Sequence, residues 1–274
     1  MNVLSPAEQF LQDFHQRRPG TTSAAFAHLS TSNQVSSYTI LASVIPTSRP
    51  TLTVLDLACG DGHLLALLAN RQQPALRLIG VDMSQAELDV ARSMLPDHVL
   101  LLKERAQALS TATGSIDFVL SHLALMLMDD LEQVLIEIRR VLRDDGKLAV
   151  IVGRGFLLGE VGTLYLDAFR AIAQQDALAH LPMGDPRTRT REGWIELLSA
   201  DFTCVEFEDM DVEWHPQFDE LWASLNDTYD VDRLTSAAQA RLKGRFKTSI
   251  EHLKLEDGSI PTGWGLRLIR GSAS

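Results

Sequence analysis

An apolar strand that runs straight into a glycine turn is the feature that most limits what this chain can become. The segment TLTVLDLACGDG occupies residues 51–62. Thr53, Val54, Leu55 and Leu57 are strand formers or large apolar residues, and no charge precedes Asp56. Such a run suits a strand covered on both faces at the centre of a parallel sheet. Gly60 and Gly62 then permit a tight turn and leave room for a ligand against the backbone. The helix expected next, over 63–71, points its first free amides at that space. A second strand over 76–81 ends at Asp82, 22 residues beyond Gly60. A carboxylate at that tip can accept both hydroxyls of a ribose lying over the glycine loop, so the spacing is that of a nucleoside-cofactor site. The dinucleotide fingerprint is incomplete, because its third glycine would fall on Leu65.

DLACGDG followed by GVDMS resembles the class I S-adenosylmethionine-dependent methyltransferases, and RRVLRDDGKLAV resembles the helix, glycine turn and fifth strand of the same family. The resemblance implies an α/β fold, a Rossmann-like seven-stranded, mostly parallel sheet of order 3-2-1-4-5-7-6. N-terminal helices and a helical insertion between strands six and seven would complete it. It implies S-adenosyl-L-methionine as cofactor. Asp56 would lie beneath the loop near the methionyl ammonium, Ala58, Gly60 and Gly62 would line the cofactor, Asp82 would hold the ribose and Met83 would cover the adenine. The family usually carries an acidic residue beside the adenine amine after strand three. Here Arg105 takes that place, with Glu104 one residue away, so the backbone around Ala106 and Gln107 is left to read the base edge. Ser121 falls at the exit of the fourth strand, again beside the cofactor.

The remaining chain supplies the frame. Ser5, Pro6 and Glu8 form a helix-start signature, and 21–45 reads as one or two short helices. The domain reading is a lid at 1–48, a cofactor-binding core at 49–215, a helical insertion at 216–257, and the final strand with its tail at 258–274. Ser84 and Glu87 begin a helix that Pro96 ends. Further strands are expected at 99–102, 115–122, 148–152, 202–214 and 264–269, and a helix at 156–180. LALMLM at 123–128 is core or acceptor-pocket wall. The arginines at 139, 140 and 143 have a sufficient explanation in the surface and the helix dipole, and those at 187, 189 and 191 are solvated loop residues or partners for an acceptor carboxylate or phosphate.

Chemistry beyond cofactor binding is thinner. His122 stands where the carboxyl end of a parallel strand meets a ligand crevice. It is a general base, an acceptor-positioning group or a satisfied structural histidine. Tyr38 is an acceptor contact or ordinary packing, and Phe26 and His28 rank below it. Trp222 or Tyr229 would reach the acceptor if the insertion contributes to the pocket. Cys59 reads as a small residue that fits its loop, and two cysteines make neither a disulfide framework nor a metal cluster. A net charge of −11 argues against broad nucleic-acid binding. The N-terminus lacks a basic start followed by an apolar core, and no apolar run approaches the ~20 residues of a membrane span. The expectation is a cytoplasmic protein, monomer or homodimer, with no metal and no nucleic-acid or membrane partner. It would transfer a methyl group to a small molecule, with a slight preference for an oxygen acceptor. Two alternatives stand beside this: a cofactor-assisted cyclisation or rearrangement, and a non-catalytic cofactor-binding regulator.

Overall fold

Ser5 begins the first helix with a reciprocal box: its hydroxyl accepts from the Glu8 amide, and the Glu8 carboxylate accepts from the Ser5 amide. This computed structural model describes residues 4–48, 51–73, 75–176 and 178–274. Residues 1–3, part of the N-terminal reading, and residue 49, the expected start of the core, lie outside them. Helices α1 (Pro6–Arg17), α2 (Thr21–Phe26) and α3 (Ser37–Ser43) lead into the sheet. Then come β1 (Leu52–Leu57), α4 (His63–Ala69), β2 (Leu76–Asp82), α5 (Gln85–Met94), β3 (Leu100–Lys103) and β4 (Ile116–His122). After a 3-10 turn at Leu125–Leu127 follow α6 (Leu131–Val141), β5 (Leu142–Gly155), α7 (Glu160–Gln175), α8 (Arg191–Leu198) and β6 (Phe202–Trp214). The helices α9 (Phe218–Asn226), α10 (Tyr229–Asp232) and α11 (Ser236–Ser249) precede β7 (Thr262–Ala273).

The seven strands lie in the order β3-β2-β1-β4-β5-β7-β6. Neighbours from β3 to β5 run parallel, and β7 is antiparallel to both β5 and β6. This is the expected seven-stranded, Rossmann-like sheet with N-terminal helices. Every residue of β1 is buried, Asp56 included, as befits a predominantly apolar central strand. Alternation then sorts its side chains. Val54 packs with Leu41, Leu64, Leu65 and Leu88 on one face, while Leu55 and Leu57 join Val134, Ile138 and Trp194 on the other. A third core unites α7 with the insertion through Tyr165, Phe218, Trp222, Leu242 and Phe246.

Local signals set most boundaries, and long-range pairing moved the rest. β5 begins at Leu142, which pairs with Ile116 of β4, and continues to Gly155, beyond the expected 148–152, because it pairs with β7 from Lys147↔Ser272 to Gly155↔Gly265. The same pairing, with β6 on the other side, lengthens β7 to Thr262–Ala273. The helix expected over 156–180 is confined to α7, which starts after Gly159 at φ +77°. β1 and β4 are adjacent while their connections diverge, so their carboxyl ends open a crevice at the point where the strand order reverses.

Candidate cofactor site

Three strand ends converge on that crevice. Beyond Leu57 the chain takes left-handed conformations at Ala58 (φ +58°), Gly60 (φ +53°) and Gly62 (φ +80°). Leu123, just after β4, does the same at φ +55°. Left-handed backbone is uncommon for residues other than glycine and clusters at ligand sites. Ala58 and Leu123 both line the cavity formed there. The Cys59 amide donates to the Val81 carbonyl at 3.0 Å, and the Gly60 amide to Asp82 Oδ2 at 2.9 Å. The Ser84 amide donates to Asp82 Oδ1 at 2.8 Å. One buried carboxylate thus fastens the β1 turn to the end of β2, and with two amide bonds made it retains lone pairs for further donors.

Asp56 lies at the same end of β1. Its Oδ2 is buried without a hydrogen-bond partner. Burial, reinforced by the charges of Asp82 and Asp61, holds its carboxyl well above the usual range. His122 closes the opposite wall. Its Nε2 lies 2.9 Å from Ser37 Oγ, and its ring stacks on Tyr38 with centroids 3.7 Å apart. His122 Nδ1 is buried without a partner. Burial, with the nearby His63, lowers its pKa from 6.5 to about 3, so the imidazole is neutral at ordinary pH.

Helix α1 roofs the cavity. Gln12 donates to the Met83 carbonyl at 3.2 Å, and Ser5 bonds Asp129. Glu8 pairs with Arg105 and accepts from Gln107 Nε2 at 3.0 Å. The arginine at the family's acidic position is therefore neutralised by a carboxylate from α1. Glu104 is turned to Ser110, whose amide it accepts at 3.0 Å.

Tyr38, Asp56, Ala58, Gly60, Asp82, Met83 and His122 all line this one cavity. Gly62, Ala106, Gln107 and Ser121 lie off its wall. An added Cβ at Gly62 would meet Leu95 Cδ1 at 2.8 Å and Ala91 Cβ at 3.0 Å, so that glycine lets α4 pack on α5. Gly62→Ala should lower unfolding stability by about 2 kcal/mol in a denaturant titration; an unchanged midpoint would show the contact to be immaterial. Ala106 belongs to the second core. Gln107 also donates to the Asp129 carbonyl at 2.8 Å, and Ser121 Oγ is buried without a partner. Tyr229 reaches the cavity, whereas Trp222 packs inside the insertion. Sequence reading missed His15, Asp61 and Glu87, which also line it. Only Glu87 carried a signal, as the third residue after the Ser84 cap, and its carboxylate reaches α1 instead of closing that cap.

Residues 55–150, from β1 through most of β5, match the family model described as a methyltransferase domain. Residues 55–150 are a methyltransferase domain. The chain is similar to demethylmenaquinone methyltransferase from Lactobacillus johnsonii, 36% identical over 102 residues that cover 35% of this chain and 42% of that protein. It is also similar to methyltransferase GfsG from Streptomyces halstedii, 33% identical over 135 residues, 47% of this chain and 48% of that one. The chain thus spans less than half the length of these curated relatives. Among solved structures, a type II methyltransferase from Anaeromyxobacter dehalogenans, itself described as putative, superposes with a TM-score of 0.59 at 19% identity. That superposition covers 86% of this chain and 94% of the other, and shows the shared fold. The cofactor of this methyltransferase class is S-adenosylmethionine, and the cavity's chemistry fits it. An unpartnered buried carboxylate at Asp56 suits an ammonium, Asp82 suits a diol, and Gly60 leaves open backbone at the wall. No described helix is long and apolar enough to cross a membrane.

Proposed function

We propose that this protein transfers the methyl group of S-adenosylmethionine to a small-molecule acceptor. The observation that carries the reading is Asp82, buried at the end of β2, bonded to the Gly60 amide, and facing the cavity. Asp82 holds the ribose hydroxyls, Asp56 faces the methionyl ammonium, Ala58 and Gly60 line the methionine portion, and Met83 covers the adenine. When bound, the cofactor supplies a methyl group already activated on a sulfonium. The remaining task is placement: an acceptor atom held in line behind the methyl carbon gains several kcal/mol from lost bimolecular disorder. Residues 1–48 act as the lid and 216–257 as the acceptor wall, around a core made by 49–215 and 258–274.

His122 and Tyr38 position the acceptor. A histidine with a pKa of about 3 is a weak proton sink, so its unpartnered Nδ1 is suited to hydrogen bonding. An oxygen acceptor fits best when it arrives already ionised or loses its proton to solvent. His122→Asn should lower kcat about tenfold with little change in cofactor affinity. The wild-type rate should also show no titration of His122 between pH 5 and 8. Because the folded pKa is depressed from 6.5 to about 3, folding stability conferred by the neutral ring falls as pH drops through that window. The substitution should flatten that part of the stability profile. An unchanged single-turnover rate would remove His122 from the reaction.

The deciding experiment is incubation with S-adenosylmethionine and a panel of small acceptors, measuring both S-adenosylhomocysteine and product. Methylated product with stoichiometric S-adenosylhomocysteine supports methyl transfer. Product without S-adenosylhomocysteine points to cyclisation or rearrangement, and binding without turnover across the panel points to a regulator.

A further inference from the structure

His15, on α1, stands between Glu87 of α5 and Tyr229 of the insertion, at the wall of the cofactor cavity. Its Nδ1 lies 2.7 Å from Glu87 Oε1 and its Nε2 2.9 Å from the Tyr229 hydroxyl. A carboxylate only accepts, so Nδ1 carries the proton toward Glu87 and Nε2 accepts from Tyr229. Glu87 Oε2 takes the Gly20 amide at 2.9 Å, and a Cβ added to Gly60 would stand 3.7 Å from that same oxygen. The relay therefore begins on the insertion and ends against the turn that fastens Asp82. The Phe14 ring also packs edge-on against Tyr229, with centroids 4.8 Å apart. Arg17 pairs with Asp232 of α10 at 2.7 Å, and Arg18 pairs with Asp227. The arginines tie α1 to the insertion, whereas His15 bonds α5 through Glu87 and the insertion through Tyr229.

Resting on the cofactor reading of the cavity, we propose that His15 is a positioning residue that couples the cofactor pocket to the acceptor wall through a Tyr229–His15–Glu87 relay. Without the imidazole, Glu87 loses a charge-assisted partner beside the glycine loop and Tyr229 loses the acceptor that orients it. Both losses act on one structure, so their effects on cofactor binding are not additive.

The test is calorimetric titration of the full chain with S-adenosylhomocysteine, for wild type, His15→Ala, Tyr229→Phe and the double variant. His15→Ala should weaken binding about tenfold and Tyr229→Phe about threefold. The double variant should be no weaker than His15→Ala, and His15→Gln should recover part of the loss, which a purely packing role would not allow. Amide exchange across 229–232 should slow on binding in the wild type and not in His15→Ala. Wild-type affinity in Tyr229→Phe, or an additive loss of about thirtyfold in the double variant, overturns the coupling while leaving the cofactor reading intact. No binding by the wild type overturns the cofactor reading, and the relay with it.

Discussion

Asp82→Ala should lower affinity for S-adenosylhomocysteine about a hundredfold. Hydrogen bonds to an ionised acceptor each contribute about 1.5 kcal/mol or more. Two ribose hydroxyls on one carboxylate therefore account for about 3 kcal/mol, which is two decades in binding. The same carboxylate accepts the Gly60 and Ser84 amides. Alanine leaves both donors buried, at a further cost of about 1–3 kcal/mol each in folding stability. Asp82→Asn separates the two effects, since its carbonyl keeps one acceptor and its size is unchanged. The measurement is calorimetric affinity beside a denaturant midpoint. Wild-type affinity in a folded Asp82→Ala protein would remove the ribose role.

Asp56→Asn should act in opposite directions on stability and binding. The Asp56 carboxyl is buried, has an unpartnered Oδ2, and is raised well above its ordinary pKa by burial and the nearby acids. A raised folded pKa means that the folded state holds the proton more tightly than the unfolded chain. Stability is then greatest below the unfolded value of 3.8 and declines as pH rises from there toward the folded value. Asparagine carries no charge to bury, so the free protein should become more stable at neutral pH and lose that stretch of pH dependence. The ammonium loses its counter-charge in the same substitution, and cofactor affinity should fall at least tenfold. Thermal melts across pH with calorimetry at pH 7 test both halves. A variant that is neither more stable nor weaker in binding would show Asp56 to be already satisfied.

The turn after β1 and the placing of Asp82 beside it were legible in the sequence because their signals are local. A mainly apolar strand, two glycines and an acid at a fixed distance specify a turn and a carboxylate without knowledge of anything remote. The lid was not legible in this way. Ser5, Pro6 and Glu8 announced the start of α1, yet nothing in them says that Glu8 reaches Arg105 or that His15 lies between Glu87 and Tyr229. Those partners are 97, 72 and 214 residues away along the chain. Such pairings depend on where the insertion folds back, which no short motif encodes. Gly62 is instructive in the other direction. It belongs to the glycine motif, but its missing side chain makes room for Leu95 and Ala91, so a spacing that marks a ligand loop also serves helix packing.

The way in and the way out of the insertion are neighbours. Trp214, the last residue of β6, is paired directly with Thr262, the first of β7. Three helices thus leave and return through a single hairpin mouth, and the entropy of closing a longer or shorter excursion changes only as the logarithm of its length. An entire substituent can be exchanged at such a socket while the seven strands keep their register. Selectivity can diverge there by grafting, on a catalytic chassis that need not be rebuilt.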